Sequence, residues 1–118
     1  MILHLVLFTP RPDLSAAEQG RLATALDRAL TKIPAVVSYR IGRRVRTGAA
    51  YDALPGSFEF CGVMEFEDLE GLAAYLSHPA HIELGQLFYT TSADAFAADF
   101  DAVSHSPSAA LRAWTENR

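Results

Sequence analysis

The stretch "ILHLVLF" at residues 2–8 constrains the fold more than any other part of the chain. Successive side chains of a β-strand point to opposite faces of the sheet. One face then holds Leu3, Leu5 and Leu7, and the other holds Ile2, His4, Val6 and Phe8. Because both faces are apolar, the pattern predicts a strand in the middle of a sheet that is covered on both sides.

The elements after this strand follow in the order α-β-β-α-β. A capping box of Ser15 and Glu18 predicts a helix that ends before Pro34. Further strands are predicted at residues 36–45, 58–66 and 95–103. The complete order, β-α-β-β-α-β, predicts an α+β, ferredoxin-like domain with a four-stranded antiparallel sheet and helices on one face.

Helices on one face leave the other apolar face of the first strand without a cover. A second copy of the sheet is the simplest cover, because closed two-fold dimers are the commonest homo-oligomers. We therefore expect a homodimer. The predicted domain spans residues 1–103, and residues 104–118 form a weakly helical or mobile C-terminal tail.

The second helical region begins after Asp68, which is a suitable N-cap. Its predicted inner stripe consists of Leu69, Leu72, Ala73 and Leu76. Tyr75 lies beside this stripe. A phenol there can pack as an amphipathic side chain, or it can orient a substrate carbonyl by hydrogen bonding.

The segment "YLSHPAHIELG", Tyr75 to Gly85, interrupts this region at Pro79. His78 is the expected N-cap of the next helix, with Pro79 as its first residue. His81 then falls in the first turn, where the helix dipole disfavours a protonated imidazole. A neutral histidine is the form that a general base requires near pH 7. The alternative is a structural histidine that bonds a backbone carbonyl.

His78 and His4 have other candidate roles. His78 and His81 have a spacing that could suit a metal, but no HExxH motif or cysteine cluster completes a ligand set, so we expect no metal. His4 is a polar ring on an apolar strand and needs a hydrogen-bond partner if it is buried. It is either a satisfied core histidine or a participant in proton transfer.

Composition excludes several function classes. Residues 1–57 carry eight Lys/Arg and four Asp/Glu, and residues 58–118 carry two and ten, so no basic face for nucleic acid is expected. The first apolar run is far shorter than the roughly 20 residues of a membrane span. It follows Met1 without a basic leader, and Cys61 is the single cysteine, so we expect a cytoplasmic protein with no membrane partner.

The sequence resembles the stress-responsive dimeric α/β-barrel (Dabb) family over residues 2–103. The resemblance rests on three segments: "ILHLVLF", "AAEQGRLATALDRALTKIPAVVSYRIGRRV" and "VMEFEDLEGLAAYLSHPAH". It implies a dimer in which two sheets close into a barrel, with a pocket between the sheet and the helices of each subunit. One branch of the family, similar to olivetolic acid cyclase, performs a cofactor-free aldol cyclisation with a histidine base and an orienting tyrosine.

This resemblance assigns roles to particular residues. It implies His81 as the base and Tyr75 as the orienting residue, with His4 in the pocket as a third catalytic candidate. Candidate substrate-binding residues are Leu26, Tyr39, His78 and Phe88. Leu26 stands where the cyclase branch has a second pocket tyrosine, so the same substrate pose is not expected.

Three functions remain open at this point. The first is a cofactor-free acid–base enzyme that acts on a hydrophobic, polyketide-like or aromatic carbonyl compound. The second is a barrel that binds a hydrophobic small molecule without catalysis, and the third is a cofactor-independent monooxygenase. The fold alone cannot rank these functions.

Overall fold

A computed structural model describes residues 1–53, 56, 58–102 and 106–116 of the chain. Its strands are β1 (Ile2–Pro10), β2 (Ser38–Arg43), β3 (Phe60–Phe66) and β4 (Ser92–Asp101). Its helices are α1 (Ala16–Lys32), α2 (Leu69–Ser77), α3 (Pro79–Thr91) and α4 (Pro107–Glu116). The strands form one antiparallel sheet in the order β2-β3-β1-β4. The predicted ferredoxin-like α+β fold is confirmed.

The two faces of β1 divide as the alternation predicts. On the helix-covered face, His4 lies opposite Met64 of β3 and Asp99 of β4. On the other face, which we call the open face, Leu3 lies opposite Phe100 and other apolar pairs continue along the strand. The buried core lies between the sheet and the helices and consists of Ile2, Ala25, Ala29, Leu30, Ile33, Met64, Phe66, Leu72, Tyr75, Ala80 and Leu84.

Helix ends follow the local sequence signals. The Glu18 amide donates to Ser15 Oγ at 3.1 Å, and the Ser15 amide donates to Glu18 Oε1 at 3.2 Å, so both bonds of the capping box are present. Asp68 accepts a hydrogen bond from the Gly71 amide at 2.8 Å and caps α2. These bonds satisfy amides that have no partner within the helix itself.

The predicted stripe of α2 is confirmed only at Leu72. Leu72 and Tyr75 are the buried residues of this helix, whereas Leu69 and Leu76 are exposed. Gly71 lies near the sheet, since an added Cβ there would be in ordinary van der Waals contact with Phe66 Cβ at 3.6 Å. The helix packs on the sheet with the side that carries Leu72 and Tyr75.

The remaining differences are at the ends of elements. Strands β2 and β3 are shorter than predicted, and a 3₁₀ helix (Ala50–Ala53) lies in the predicted loop between them. Helix α4 occupies the predicted tail, but the predicted boundary between residues 103 and 104 lies outside the described residues. No helix in the described part of the chain is both long and apolar enough to cross a membrane.

Candidate functional site

A cavity of about 280 Å³ lies between the helix-covered face of the sheet and helices α1, α2 and α3. Its lining is apolar apart from two histidines and one tyrosine. The lining residues are His4, Val6, Phe8, Leu22, Leu26, Ile41, Gly62, Met64, Tyr75, Leu76, His81, Leu84, Gly85, Phe88 and Ala97. An apolar cavity with a few convergent polar groups is typical of a small-molecule site.

His4 is held by an acidic partner on the neighbouring strand. Its Nδ1 lies 2.5 Å from Asp99 Oδ1, and the two residues face each other across the β1–β4 pairing. A carboxylate only accepts hydrogen bonds, so Nδ1 carries the hydrogen and Nε2 is the nitrogen left for a ligand. The buried imidazole therefore has the partner that its position on an apolar strand requires.

Tyr75 lies between the two histidines. Its ring centre is 5.9 Å from that of His4 and 4.5 Å from that of His81, and the whole residue is only 1% exposed. The hydroxyl makes no hydrogen bond to any residue that the structure describes. Burial raises the pKa of Tyr75 to about 12. The phenol thus remains a neutral hydrogen-bond donor over the whole physiological pH range.

His81 lies in the first turn of α3, as predicted. His78 is the N-cap, with its Nδ1 accepting from the Ala80 amide at 3.0 Å, and Pro79 is the first helical residue. His81 Nδ1 lies 3.2 Å from the carbonyl oxygen of Leu76. Because a carbonyl can only accept, the hydrogen is on Nδ1 and the lone pair is on Nε2.

The environment favours the neutral form of His81. Burial lowers its pKa below 6.5, and the neighbouring His4 acts in the same direction, while the bond to the Leu76 carbonyl opposes them. The ring therefore satisfies both interpretations of the sequence, since it bonds a backbone carbonyl and also presents an unprotonated nitrogen. This combination is what a general base needs.

The structure brings together most, but not all, of the predicted site residues. His4, Tyr75, His81, Leu26 and Phe88 all line the cavity. Two predicted substrate-binding residues do not belong to the lining. Tyr39 lies on the edge strand β2, where it is largely exposed, and the side chain of His78 is engaged as a helix cap.

Asp99 is the site residue that the sequence did not identify. It is separated from His4 by 95 positions, and nothing local distinguishes it from Asp94 or Asp101. The alternation of β4 separates Asp99 from Phe96 and Phe100, but only the register with β1 brings it to the helix-covered face beside His4. In residues 1–53, 56, 58–102 and 106–116, no three His, Cys, Asp or Glu residues form a group that could hold a metal ion.

Comparison with known proteins finds one matching family model, described as "Stress responsive A/B Barrel Domain", over residues 2–102. The curated protein sequences contain no match. Several solved structures share the fold. A dimeric ferredoxin-like protein of unknown function from Thermobifida fusca is 24% identical with a TM-score of 0.64, covering 84% of this chain and 88% of that chain.

Two similar structures carry enzyme names. The hydroxynitrile lyase from Passiflora edulis is 13% identical with a TM-score of 0.75, covering 90% of this chain and 96% of that chain. A variant of SnoaB, a cofactor-independent oxygenase from Streptomyces nogalater, is 13% identical with a TM-score of 0.63 and the same coverage. At these identities the likeness establishes the fold alone.

Proposed function

The chain belongs to the stress responsive A/B barrel domain family, and from this premise we propose that it is an acid–base enzyme. Its substrate is a hydrophobic carbonyl compound, polyketide-like or aromatic, and the reaction is of the aldol type and needs no cofactor. The observation that carries this proposal is the convergence of His4, Tyr75 and His81 on one apolar cavity.

The proposed reaction uses His81 as the base. Its Nε2 takes a proton from the carbon next to a carbonyl group, and the resulting enolate carbon attacks a second carbonyl of the same molecule. A carbon–carbon bond forms, and the new alkoxide takes the proton back from the imidazolium. The Tyr75 hydroxyl donates a hydrogen bond to the enolate oxygen, where negative charge develops.

His4 and Asp99 complete this arrangement. The carboxylate fixes the tautomer and the orientation of the His4 ring, so the ring is preorganised toward the cavity. With Nδ1 donating to Asp99, the ring presents Nε2 as an acceptor, and we assign His4 to positioning a hydroxyl or enol group of the substrate. The apolar remainder of the lining keeps water away from the enolate and strengthens these hydrogen bonds.

The cavity limits the size of the substrate. An engineered cavity of about 150 Å³ binds benzene, and the cavity here is about 280 Å³. A bicyclic aromatic compound, or a single ring with a short side chain, matches this volume. Leu26 contributes a methyl surface to the lining, which favours an apolar part of the ligand beside α1.

We also propose that the protein is a homodimer that closes two sheets into a barrel. The open face carries three leucines of β1 with Phe96 and Phe100 of β4, and both phenylalanines are about half exposed. An apolar surface of this kind is typical of an interface. The similar protein from Thermobifida fusca is described as dimeric. The single cysteine supports the prediction of a cytoplasmic location.

The test is exchange of the α-protons of phenylacetone in D2O, followed by NMR. This small aromatic ketone fits the cavity volume and reports on the first proton transfer without requiring the natural substrate. We expect the wild-type protein to accelerate exchange and His81→Ala to lose about 100-fold or more of that acceleration. His78→Ala is the matched control, because that histidine lies outside the cavity.

Equal acceleration by the wild type and His81→Ala would contradict the assignment of the base. A second candidate function, binding of a hydrophobic ligand without catalysis, is favoured by the predominantly apolar lining. It predicts that both proteins bind phenylacetone with similar affinity and that neither accelerates exchange. An oxygenase would instead consume oxygen with a phenolic substrate.

A further inference from the structure

We propose that ligands enter the cavity through a portal at Gly85, one turn after His81 on α3. The inference rests on the proposed function only in requiring that the cavity binds an apolar compound. It adds a route of entry and a residue that controls the rate of binding.

The cavity is continuous with the outer surface at this position. Leu76, His81 and Gly85 line the cavity and also line an open groove on the outside of α2 and α3. Gly85, Phe88 and Ala97 likewise line both the cavity and a second outer groove, beside β4. Gly85 is common to the cavity and to both grooves, so the wall of the cavity is thinnest there.

The outer surface around this position is apolar. Leu76, Ile82 and Tyr89 line the first groove and are 39%, 50% and 86% exposed. A cluster of exposed apolar side chains on a helix surface indicates an interaction site. Here the cluster lies at the mouth of an apolar cavity, where it gives an apolar ligand a favourable surface on its way in.

The glycine at position 85 is not explained by its own surroundings. Glycine inside a helix is less stable than alanine because it has more backbone freedom to lose on folding. At Gly85 an added Cβ would meet no heavy atom within 4 Å, and the backbone is ordinary α-helix. Neither crowding nor a left-handed conformation requires glycine, whereas an open gap in the wall does.

Gly20 provides a matched control for this argument. It is also a helix-interior glycine with open space around a Cβ, but it lies on α1 outside the cavity lining. The same substitution at Gly20 therefore changes helix propensity without changing the wall.

The experiment measures binding of 2-naphthol by stopped-flow, using the fluorescence of the naphthol. Gly85→Leu places a side chain across the gap. We expect its association and dissociation rate constants both to fall, by about tenfold or more. Gly20→Leu is expected to keep both rate constants of the wild type.

Three other outcomes would overturn the portal. Unchanged rate constants in Gly85→Leu would place the entry elsewhere. A weaker Kd with an unchanged association rate would make Gly85 an ordinary part of the ligand surface. Failure of the wild type to bind 2-naphthol would overturn both the portal and the apolar ligand of the proposed function. Binding with slowed exchange of ligand, but without proton transfer, would support the portal and contradict the enzyme.

Discussion

Removing the hydroxyl of Tyr75 is expected to lower activity without lowering stability. In Tyr75→Phe the ring keeps its contacts with Phe66, at 5.0 Å, and with both histidines. Only the oxygen is lost. Because that oxygen has no hydrogen-bond partner among the described residues, the fold loses no hydrogen bond, but the ligand loses its donor.

The magnitude follows from burial. Tyr75 is 1% exposed, but its hydroxyl is not among the fully buried polar atoms without a partner, so the cost of about 1–3 kcal/mol for such an atom is an upper limit here. The cavity reduces this cost where water can reach the hydroxyl. We therefore expect Tyr75→Phe to leave the free energy of unfolding unchanged or to raise it by about 1 kcal/mol. Acceleration of α-proton exchange is expected to fall at least tenfold, since a developing oxyanion loses a donor.

The dependence of stability on alkaline pH gives a second, independent test of the role of Tyr75. Burial raises the pKa of Tyr75 to about 12 from 10.0, so the unfolded chain releases this proton first as the pH rises. Stability from the neutral phenol is fully present below pH 10 and is lost as the pH approaches 12. The loss approaches about 3 kcal/mol, because one pKa unit corresponds to about 1.4 kcal/mol.

Urea unfolding at pH 7 and at several values from 9 to 12 measures both effects, with the difference between the two proteins isolating Tyr75. We expect Tyr75→Phe to gain on the wild type as the pH rises above 10. Destabilisation by more than about 1 kcal/mol at pH 7 would refute the reasoning, because it would mean that the hydroxyl is bonded within the fold. Parallel curves of unfolding free energy against pH for the two proteins would also refute it.

Three further predictions concern the other groups of the site and the open face. Asp99→Asn removes the charge that holds His4 and should lower the free energy of unfolding by about 1 kcal/mol in urea, a value discounted because Asp99 is 42% exposed. The rate of α-proton exchange should rise with pH with a midpoint below 6.5, because burial lowers the pKa of His81. The stability that the neutral His81 contributes should fall as the pH drops below 6.5, since the unfolded chain binds the proton first. A midpoint above 6.5 in the NMR assay would contradict this. Leu5→Lys on the open face should make the protein monomeric in sedimentation velocity, while Leu69→Lys, at an exposed position of α2, should not.

Short-range features of this chain could be predicted from the sequence. Ser15, Asp68 and His78 all act as helix caps, because a cap bonds to an amide two or three positions further on. The two faces of β1 follow from the alternation of a strand. His81 could be placed in the first turn of α3 for the same reason, since Pro79 fixes where that helix begins.

Features that depend on how elements meet could not be predicted. The pairing of His4 with Asp99 requires the register between β1 and β4, which the alternation of either strand leaves open. The orientation of α2 depends on how the helix packs on the sheet, so Tyr75 is buried although its neighbours suggested a flank. Tyr39 has the right alternation, but among the residues of the edge strand β2 only Ile41 reaches the cavity lining, and Tyr39 is exposed.

Because the two faces of β1 have different roles, the length of this strand is as constrained as its composition. One face supplies His4 to the cavity and the other supplies leucines to the open face. A single inserted or deleted residue near the start of the strand would exchange the two faces, because the side-chain period is two. His4 would then lie on the open face and a leucine in the cavity, so one frame-preserving codon would remove His4 from the site and place a polar ring on the face that we propose as the dimer interface. Genes for proteins that keep this site should therefore align through the strand without gaps.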